Sequence, residues 1–423
     1  MTVRAVQGGA GCGKTHRLMA MLADTLNAHP LGEGQRVLAL TFMHGARRRL
    51  ADRLRGVAGL GGQVECTTID SFAWRIARRW RGLASALDLP PLTEEQFNAV
   101  CNAAGILLEQ PVVANWVASS FPIILIDEGQ DLGPQRMRML VALSQQVELL
   151  AAADEFQCLD QTLRPNPFVT WLDDACEPEA LHHVHRTNRA GLLTAATAIR
   201  NGEAPVNGHG FKILTGSGDP LAATMLANAI AWRQGGDVAV ITPAVQGGYA
   251  QRAVTRVGQG AIGQQGNGPF AIRWEGTDLD MAGTIIAALD LPDIADAAAT
   301  LQALRALPSS GPARAALFWA KRQVDALGRA EFARADIERV IARSVTFQRQ
   351  HGRTDARDFL AMTVQQAKNR EFDGVVVFWP YQVGGDAEQK RRLLYNAVTR
   401  ARRWCNVIVQ SQNILASPPF AYP

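Results

Sequence analysis

The chain opens on a short strand-like run that passes directly into a glycine-rich loop and then into a helical pattern. The loop is Gly8-Gly9-Ala10-Gly11-Cys12-Gly13-Lys14-Thr15, with residues 2–7 before it and the helical residues 17–26 behind it. Such a loop lets backbone N–H groups surround phosphate oxygens at a helix N-terminus, while the lysine adds charge and the hydroxyl can reach Mg²⁺. The flanking patterns favour a phosphate-binding loop (P-loop) over a chance glycine turn.

A second motif supplies the carboxylates that a P-loop needs. The apolar run at 123–126 ends in Asp127-Glu128-Gly129-Gln130-Asp131. Four apolar residues before Asp127 predict a buried strand, so both acids should lie at a strand end rather than in an acidic surface turn. We expect Asp127 to hold Mg²⁺ while Glu128 orients and deprotonates the attacking water. Together the two motifs predict hydrolysis of Mg·ATP.

Strand and helix patterns alternate along most of the chain. Apolar runs lie at 2–7, 36–41, 63–68, 122–127, 147–154 and 180–184, and they resume at 237–242, 373–379 and 405–410. This alternation is typical of parallel sheets covered by helices, and the second series indicates a second α/β unit. Two stretches, at about 82–120 and 277–355, are helix-like and are interpreted as helical insertions.

Composition narrows the class of protein. With 423 residues, of which 47% are hydrophobic and 19% charged, the chain has the composition of a globular protein of two or three domains. It has no secretory leader pattern and no apolar stretch of the roughly 20 residues that a membrane span needs, so we expect a cytoplasmic protein. The six cysteines form no CxxC pair and the HHVH run at 182–185 has no carboxylate spaced for a metal, which predicts free thiols and strand-end histidines.

One segment is strongly basic although the whole chain carries a formal charge of only +4. Residues 45–81 contain nine arginines against three carboxylates. Such a segment is either a solvated helix face or a surface that binds nucleic acid phosphates. The motifs on either side of it decide between the two.

The first half of the chain carries a series of motifs around this segment. Thr41-Phe42-Met43 matches a TFT segment and Thr68-Ile69-Asp70-Ser71-Phe72 matches TIHSF, while Asp154-Glu155-Phe156-Gln157 matches GDPxQ. With the D-E-x-Q-D form of the acidic motif, their order resembles superfamily 1 helicases of the UvrD, Rep and PcrA group. The resemblance implies single-stranded DNA contacts at Thr41, Phe42, Ser71 and Phe72, and a γ-phosphate sensor at Gln157. It also favours nucleic acid as the partner of the basic segment.

The second half continues the same motif order. His185-Arg186-Thr187-Asn188 resembles NYRS, which implies that Arg186 contacts phosphate, and residues 237–242 match the strand written IAVL. Residues 363–372, TVQQAKNREF, resemble TVHKAKGLEF, which implies a ribose contact at Glu371 and DNA contacts at Thr363 and Gln365. Residues 391–401 are similar to RRLLYVALTRA and supply Arg400 as an arginine finger.

The resemblance covers nearly the whole chain and implies a motor that moves on DNA. The predicted fold is α/β, with a RecA-like lobe at 1–185, a second at 186–423, and a reduced second insertion. ATP binds between the lobes, and hydrolysis drives closing and opening that pulls single-stranded or tailed DNA, with 3′ to 5′ polarity implied by the family alone. The implied catalytic residues are Lys14, Asp127, Glu128, Gln157, Arg186 and Arg400. Thr15 and Asp127 are the implied metal ligands, and the other nucleotide contacts are Gly8, Gly9, Ala10, Gly11, Cys12, Gly13, His16 and Glu371.

Several positions depart from the family pattern. Seven residues precede Gly8, so the adenine-reading Q motif is not expected ahead of the P-loop, and the similar residues 92–100 are interpreted as a capped helix start. Asp160 stands where a tyrosine is usual, and Gln365 and Asn369 replace a histidine and a glycine. A second insertion of about eighty positions is small for this family. These departures leave hydrolysis intact and put its coupling to strand separation in question.

Other functions and another track fit parts of the pattern. A DNA-activated ATPase that senses DNA ends or single strands for a partner nuclease, as in phage defence, is the main alternative to a helicase of DNA repair. A non-catalytic scaffold is disfavoured because the six catalytic residues are present, and RNA is an open alternative as the track. Asp373 and Glu388-Gln389-Lys390 satisfy a D…ExK nuclease spacing, but we interpret them as a charged loop before Arg400.

Overall fold

The alternating apolar runs of the sequence form two six-stranded sheets in the computed structural model. It describes residues 2–42, 44–92, 96–232, 236–244, 248–276, 278–351 and 359–422. The chain divides into two compact units, Met1–Ile272 with Phe359–Pro423 and Arg273–Asp358. The first unit holds both α/β lobes, and the second is mainly helical.

The first lobe is organised around a parallel sheet in the order β3-β2-β4-β5-β1-β6, whose strands are β1 (Val3–Gly8), β2 (Val37–Thr41), β3 (Val64–Thr68), β4 (Ile123–Asp127), β5 (Glu148–Ala153) and β6 (Glu179–Leu181). The register pairs Thr41 with Asp127 and Gln7 with Ala153. Because all these strands run in parallel, the loops that follow β1, β2, β4 and β5 emerge at the same edge of the sheet. That edge carries the P-loop, the acidic motif and the Gln157 motif.

Helices cover both faces of this sheet: α1 (Lys14–Ala28), α2 (His44–Leu54), α3 (Ile69–Arg79), α4 (Arg81–Ala86), α5 (Phe97–Leu108), α6 (Pro111–Ser120), α7 (Pro134–Ser144) and α8 (Pro167–Ala175). Helices α1 and α2 pack on one face, while α3, α5 and α7 pack on the other. Helix α3 shows why: Ile69, Phe72, Ala73 and Ile76 are buried at helical spacing, and the Thr68 hydroxyl caps its first turn. The predicted first insertion corresponds to α4, α5 and α6.

Downstream of β6 the chain contains the strands β7 (Phe211–Thr215), β8 (Val238–Thr242), β9 (Ile272–Trp274), β10 (Ile294–Asp296), β11 (Glu331–Ala333), β12 (Phe359–Thr363), β13 (Phe372–Trp379) and β14 (Ala401–Val409). The second sheet has the order β7-β14-β13-β8-β12-β9, and each pairing described among β7, β8, β12, β13 and β14 is parallel. The remaining helices are α9 (Ala190–Asn201), α10 (Asp219–Ala231), α11 (Tyr249–Gln259), α12 (Asp278–Ala287), α13 (Ala297–Ala306), α14 (Gly311–Leu327), α15 (Arg334–His351) and α16 (Ala387–Val398). Two parallel sheets flanked by helices confirm the predicted pair of RecA-like lobes.

The helical unit has its own core. This core includes Leu304, Ala316 and Ile337 of the helices and Phe332 of β11, and the ring of Trp319 contacts the ring of Phe332 edge-on. Strands β10 and β11 pair in antiparallel fashion, which the sequence did not predict. Each is three residues long, too short to show a strand period.

Other sequence predictions differ from the structure in detail. Strands β7, β9 and β12 were missed, and β6 ends at Leu181 although the predicted run continued to 184, so the HHVH histidines lie just beyond a strand end, as expected. Helix α5 begins at Phe97 without a side-chain cap, and positions 93–95 of the supposed capped start lie outside the described residues, as does Met43. Within the described chain, no helix has the length and apolar character needed to cross a bilayer.

Candidate nucleotide-binding site

The P-loop connects β1 to α1 and keeps Lys14 close to its own backbone. The Lys14 ammonium donates hydrogen bonds to the carbonyl oxygens of Gly8 at 2.9 Å and Gly9 at 3.1 Å. Gly11 and Gly13 have φ of 78° and 80°, a left-handed conformation that side chains other than glycine rarely adopt. A Cβ atom on Gly11 would also lie 2.6 Å from Cβ of Arg186, so glycine is required there on two counts. The loop therefore has the backbone that a phosphate cradle needs.

The two acids at the end of β4 lie beside Thr15. The Thr15 hydroxyl donates to Oδ2 of Asp127 at 3.0 Å, which brings a hydroxyl and a carboxylate together. These hard oxygen donors fit Mg²⁺, which in phosphate sites keeps several waters and takes few protein ligands. Burial and the neighbouring Glu128 carboxylate raise the pKa of Asp127 to about 6. A bound divalent cation would favour the charged form of Asp127.

Glu128 occupies a strained backbone conformation, with φ 60° and ψ 42°. Left-handed geometry at a residue other than glycine costs on the order of 1–3 kcal/mol and is often found at functional sites. The Gln130 amide donates to Glu128 Oε2 at 2.6 Å, and its oxygen accepts the Asp154 N–H at 3.0 Å. The turn thus sets the direction of the Glu128 carboxylate, and Gln130 links this carboxylate to Asp154 at the end of β5.

Two arginines of the second lobe reach this edge of the first lobe. Arg400 follows α16, is almost fully buried, and donates to Oε1 of Gln157 at 3.2 Å. Burial and the nearby Arg186 lower the pKa of Arg400 to about 10, so it remains charged at neutral pH. Arg186 donates to Glu371 Oε1 at 3.0 Å and to the Thr399 carbonyl at 2.7 Å. The predicted sensor glutamine and arginine finger are therefore in direct contact.

These side chains line one cleft of about 680 Å³ between the lobes. It includes most of the predicted catalytic and nucleotide-binding residues: Gly11, Gly13, Lys14, Thr15, His16, Asp127, Glu128, Gln157, Arg186, Glu371 and Arg400. The cleft also contains Arg49 and Arg53, which belong to the basic segment at 45–81 and were not predicted as nucleotide contacts. Their spacing of four residues on α2 places both on the same helix face, which is the signal that could have found them.

The other predicted P-loop contacts face a second cavity. Gly8, Gly9, Ala10 and Cys12 line a space of about 450 Å³ behind the loop, between the first lobe and the helices α9 and α16 of the second. The Tyr395 hydroxyl on α16 accepts the Ala10 N–H at 2.9 Å. Burial raises the pKa of the Cys12 thiol, so its thiolate form is disfavoured. The predicted nucleotide-binding set is thus divided between the two sides of the P-loop.

Asp131 and Lys368 form a further bridge between the lobes. The Lys368 ammonium lies 2.6 and 2.8 Å from the two carboxylate oxygens of Asp131, and both side chains are largely buried. Asp131 ends the acidic motif, and Lys368 belongs to the segment between β12 and β13. The pair therefore connects the turn that carries Glu128 to the segment that carries Gln365 and Glu371.

Comparison with known proteins gives two family matches. Residues 1–162 match the model of an AAA domain, and residues 358–408 match the model of the UvrD-like helicase C-terminal domain. The matches lie on the two lobes that form the cleft, in the order that the motifs predict. An AAA domain followed by a UvrD-like helicase C-terminal domain supports the resemblance to UvrD-like superfamily 1 helicases.

Other comparisons are more distant. A solved structure, the Arterivirus nonstructural protein 10 (helicase), aligns with 11% sequence identity and a TM-score of 0.41; the alignment covers 96% of this chain and 59% of that one. No curated protein matches. The chain thus spans about three-fifths of the helicase structure with which it aligns.

The predicted DNA contacts of the first lobe occupy different environments. Phe42 is partly exposed and Arg136 lies over its ring, 5.3 Å from the centroid, whereas Thr41 is buried at the end of β2. Ser71 is exposed, but Phe72 has no exposed surface and lies on the buried face of α3. The assignment of Phe72 as a DNA contact is corrected, because its place in the buried stripe of α3 makes it a core residue.

Of the predicted second-lobe DNA contacts, Thr363 is the last residue of β12 and Gln365 lies on the turn after it. Gln365 is exposed, and the Thr363 hydroxyl accepts the Gln366 N–H at 3.3 Å. Asn369 takes a left-handed φ of 61°, which asparagine tolerates better than most residues and which suits a position that is glycine in the family. Exposed Asp160, in the usual tyrosine position, caps a turn by accepting from the N–H and hydroxyl of Thr162.

Two minor motifs gain structural roles. Glu388 and Lys390 lie on α16, with Asp386 as its N-cap, and Glu388 pairs with Arg392 at 2.6 Å. The expected loop is therefore wrong for residues 388–390, which are helical, and the helix also disfavours the D…ExK nuclease interpretation. The rings of His183 and His185 lie 4.5 Å apart, and among the described residues no group of three or more His, Cys, Asp or Glu could hold a metal.

Proposed function

We propose that the chain is a motor that hydrolyses Mg·ATP and uses the energy to move on single-stranded DNA. The observation that carries this proposal is the shared cleft, in which Lys14, Asp127 and Glu128 of the first lobe face Arg186 and Arg400 of the second. A cleft with catalytic groups on both walls makes hydrolysis depend on the distance between the lobes.

Each wall has its own task in the proposed hydrolysis. Lys14 binds the phosphate chain of the substrate, and Thr15 and Asp127 hold the Mg²⁺, which neutralises phosphate charge when bound. Glu128, aimed by Gln130, accepts a proton from the attacking water. Arg400 and Arg186 stabilise the charge that develops on the transferred phosphoryl group, with Gln157 linking Arg400 to the first lobe.

The test is DNA-stimulated ATPase activity of the purified chain, beside Lys14→Ala. We expect ATP turnover that rises with single-stranded DNA and is lost in the variant, while DNA binding measured by fluorescence anisotropy persists. Turnover of equal rate in both proteins would refute the proposal. Assays with GTP and with RNA define the base and the track.

A second candidate is a DNA-activated ATPase sensor that controls a partner nuclease. It is favoured by Asp160, an exposed turn cap where an aromatic platform is usual, and by a helical unit confined to 273–358. Strand displacement on 3′- and 5′-tailed duplexes separates the candidates. DNA-stimulated ATPase without unwinding supports the sensor, whereas unwinding of the 3′-tailed substrate supports a 3′ to 5′ helicase.

A further inference from the structure

Asp154, at the start of the Gln157 motif, is a fully buried carboxylate held by two cations. Arg200 donates to its Oδ1 at 2.9 Å, while the Lys14 ammonium lies 3.9 Å from its Oδ2. The Gln157 amide also donates to Oδ2 at 2.7 Å. A buried carboxylate requires partners of this kind, because an unpaired charge in a protein interior is strongly unfavourable.

Lys14 cannot serve Asp154 and a nucleotide equally well. Under the proposed function, its ammonium must turn toward the phosphates in the cleft. If Lys14 were the sole cation near Asp154, that movement would leave the buried carboxylate with hydrogen bonds but no compensating charge. Nucleotide binding would then oppose the cost of an unpaired charge.

Arg200 approaches Asp154 from the second lobe, on the opposite side of the P-loop from the cleft. It lies in the last turn of α9, lines the rear cavity, and does not line the cleft. Its guanidinium lies over the rings of Phe156 and Tyr395, at 5.5 and 5.6 Å from their centroids, and donates to the Tyr395 hydroxyl at 3.3 Å. Burial alone would lower the pKa of Arg200, but the Asp154 carboxylate and the Tyr395 hydroxyl raise this pKa above its ordinary value.

We propose that Arg200 is a positioning residue for ATP hydrolysis: it neutralises Asp154 permanently, so that Lys14 is free to move to the phosphates. The proposal rests on the proposed ATPase function. Tyr395 links the same arginine to the P-loop, since its hydroxyl accepts both from Arg200 and from the Ala10 N–H. The second lobe thus contacts the P-loop on the side of the rear cavity, through Tyr395, and also contributes Arg186 and Arg400 to the cleft on the other side. In the sequence, Arg200 lies at the end of an alanine-rich helical pattern, and a basic residue at that position ordinarily indicates only the C-terminus of a helix.

The experiment measures binding of a fluorescent ADP analogue with Mg²⁺, together with ATPase activity, in the full-length chain. Because Arg200 is partly exposed, we expect Arg200→Ala to fold but to weaken ADP binding and lower kcat/KM by about 10- to 100-fold. Arg200→Lys, which keeps the charge, should recover most of the loss. Arg252→Ala is the matched control, since it removes an arginine–aspartate pair between α11 and α10 that lines neither cavity.

A double-mutant cycle with Asp154→Asn distinguishes charge compensation from simple packing on Phe156 and Tyr395. In the Asp154→Asn background the carboxylate charge is absent, so adding Arg200→Ala should change ADP affinity by less than about twofold. An equal loss in both backgrounds, or unchanged binding in Arg200→Ala, would overturn the role of Arg200. If the wild-type chain hydrolyses ATP in that case, the proposed function survives; if it neither binds ADP nor hydrolyses ATP, both fail.

Discussion

In the nucleotide cleft, side chains hold one another across long stretches of sequence, whereas the predicted DNA contacts rest on local turns. Thr15 bonds Asp127 across 112 positions and Arg400 bonds Gln157 across 243, while Ser71 and Thr68, or Thr363 and Gln366, are three positions apart. The cleft therefore exists only when both lobes are folded and apposed. The predicted DNA contacts depend mainly on where each strand ends.

Glu128→Gln should give the largest effect, because it removes the proposed base while retaining the shape of the side chain. We expect kcat to fall by about 10²- to 10⁴-fold with nucleotide and DNA binding retained. Steady-state phosphate release and binding of the fluorescent ADP analogue check both parts. Glu155→Gln, in the neighbouring Gln157 motif, is the control and should stay near wild-type activity. A Glu128→Gln variant of normal activity would place the base elsewhere.

Lys368→Met tests the bridge between the acidic motif of the cleft and the segment between β12 and β13. It leaves Asp131 buried without its cation, so we expect a loss of about 3–5 kcal/mol in the free energy of unfolding. The double variant Lys368→Met with Asp131→Leu removes both charges and should recover most of that stability. Thermal melts of the three proteins provide the measurement. If the double variant is as unstable as Lys368→Met alone, the pair is not an isolated charge partnership.

The two phenylalanines of the predicted DNA motifs separate a core residue from a contact residue. Phe72→Ala opens a cavity beneath α3 and should cost about 3–5 kcal/mol of stability. Phe42→Ala removes a partly exposed ring and should instead weaken single-stranded DNA binding by about 1–3 kcal/mol, with a small change in melting temperature. Fluorescence anisotropy and thermal melts check the contrast. Unchanged DNA affinity in Phe42→Ala would remove Phe42 from the DNA path.

The same contrast explains how much the sequence could predict. The P-loop and the acidic motif lie between strong strand and helix patterns, so their positions and their shared sheet edge could be predicted, as could the pair of α/β lobes. The motif letters also assigned Gln157 and Arg400 to one site, and the two side chains are in contact. A linear pattern could not indicate that Phe72 faces the core or that Cys12 faces the rear cavity. Those outcomes depend on which face of an element is covered by another.

Residues that act across the lobes were the hardest to foresee. Arg49 and Arg53 belong to the basic segment for which nucleic acid was the favoured partner, and no sequence pattern singled out Arg200. Each acquires its role from tertiary proximity: the first two line the cleft and the third pairs with Asp154. Local propensity contains no information on that proximity, since either role leaves the helix pattern unchanged.

In the absence of Mg²⁺, Asp127→Asn should give the smallest change in stability among these variants. Burial and Glu128 raise the pKa of Asp127 to about 6, above its ordinary value of 3.8, so the folded state binds a proton more tightly than the unfolded state does. Stability contributed by this group is therefore lost as the pH rises through about 6. In EDTA at pH 8 we expect the asparagine variant to be more stable by on the order of 1–3 kcal/mol, an advantage that shrinks as the pH falls toward 5. Thermal melts at both pH values measure it, with Asp174→Asn, an exposed residue of α8, as the control. A stability gain that is independent of pH would show that the charge on Asp127 carries no penalty in the folded cleft.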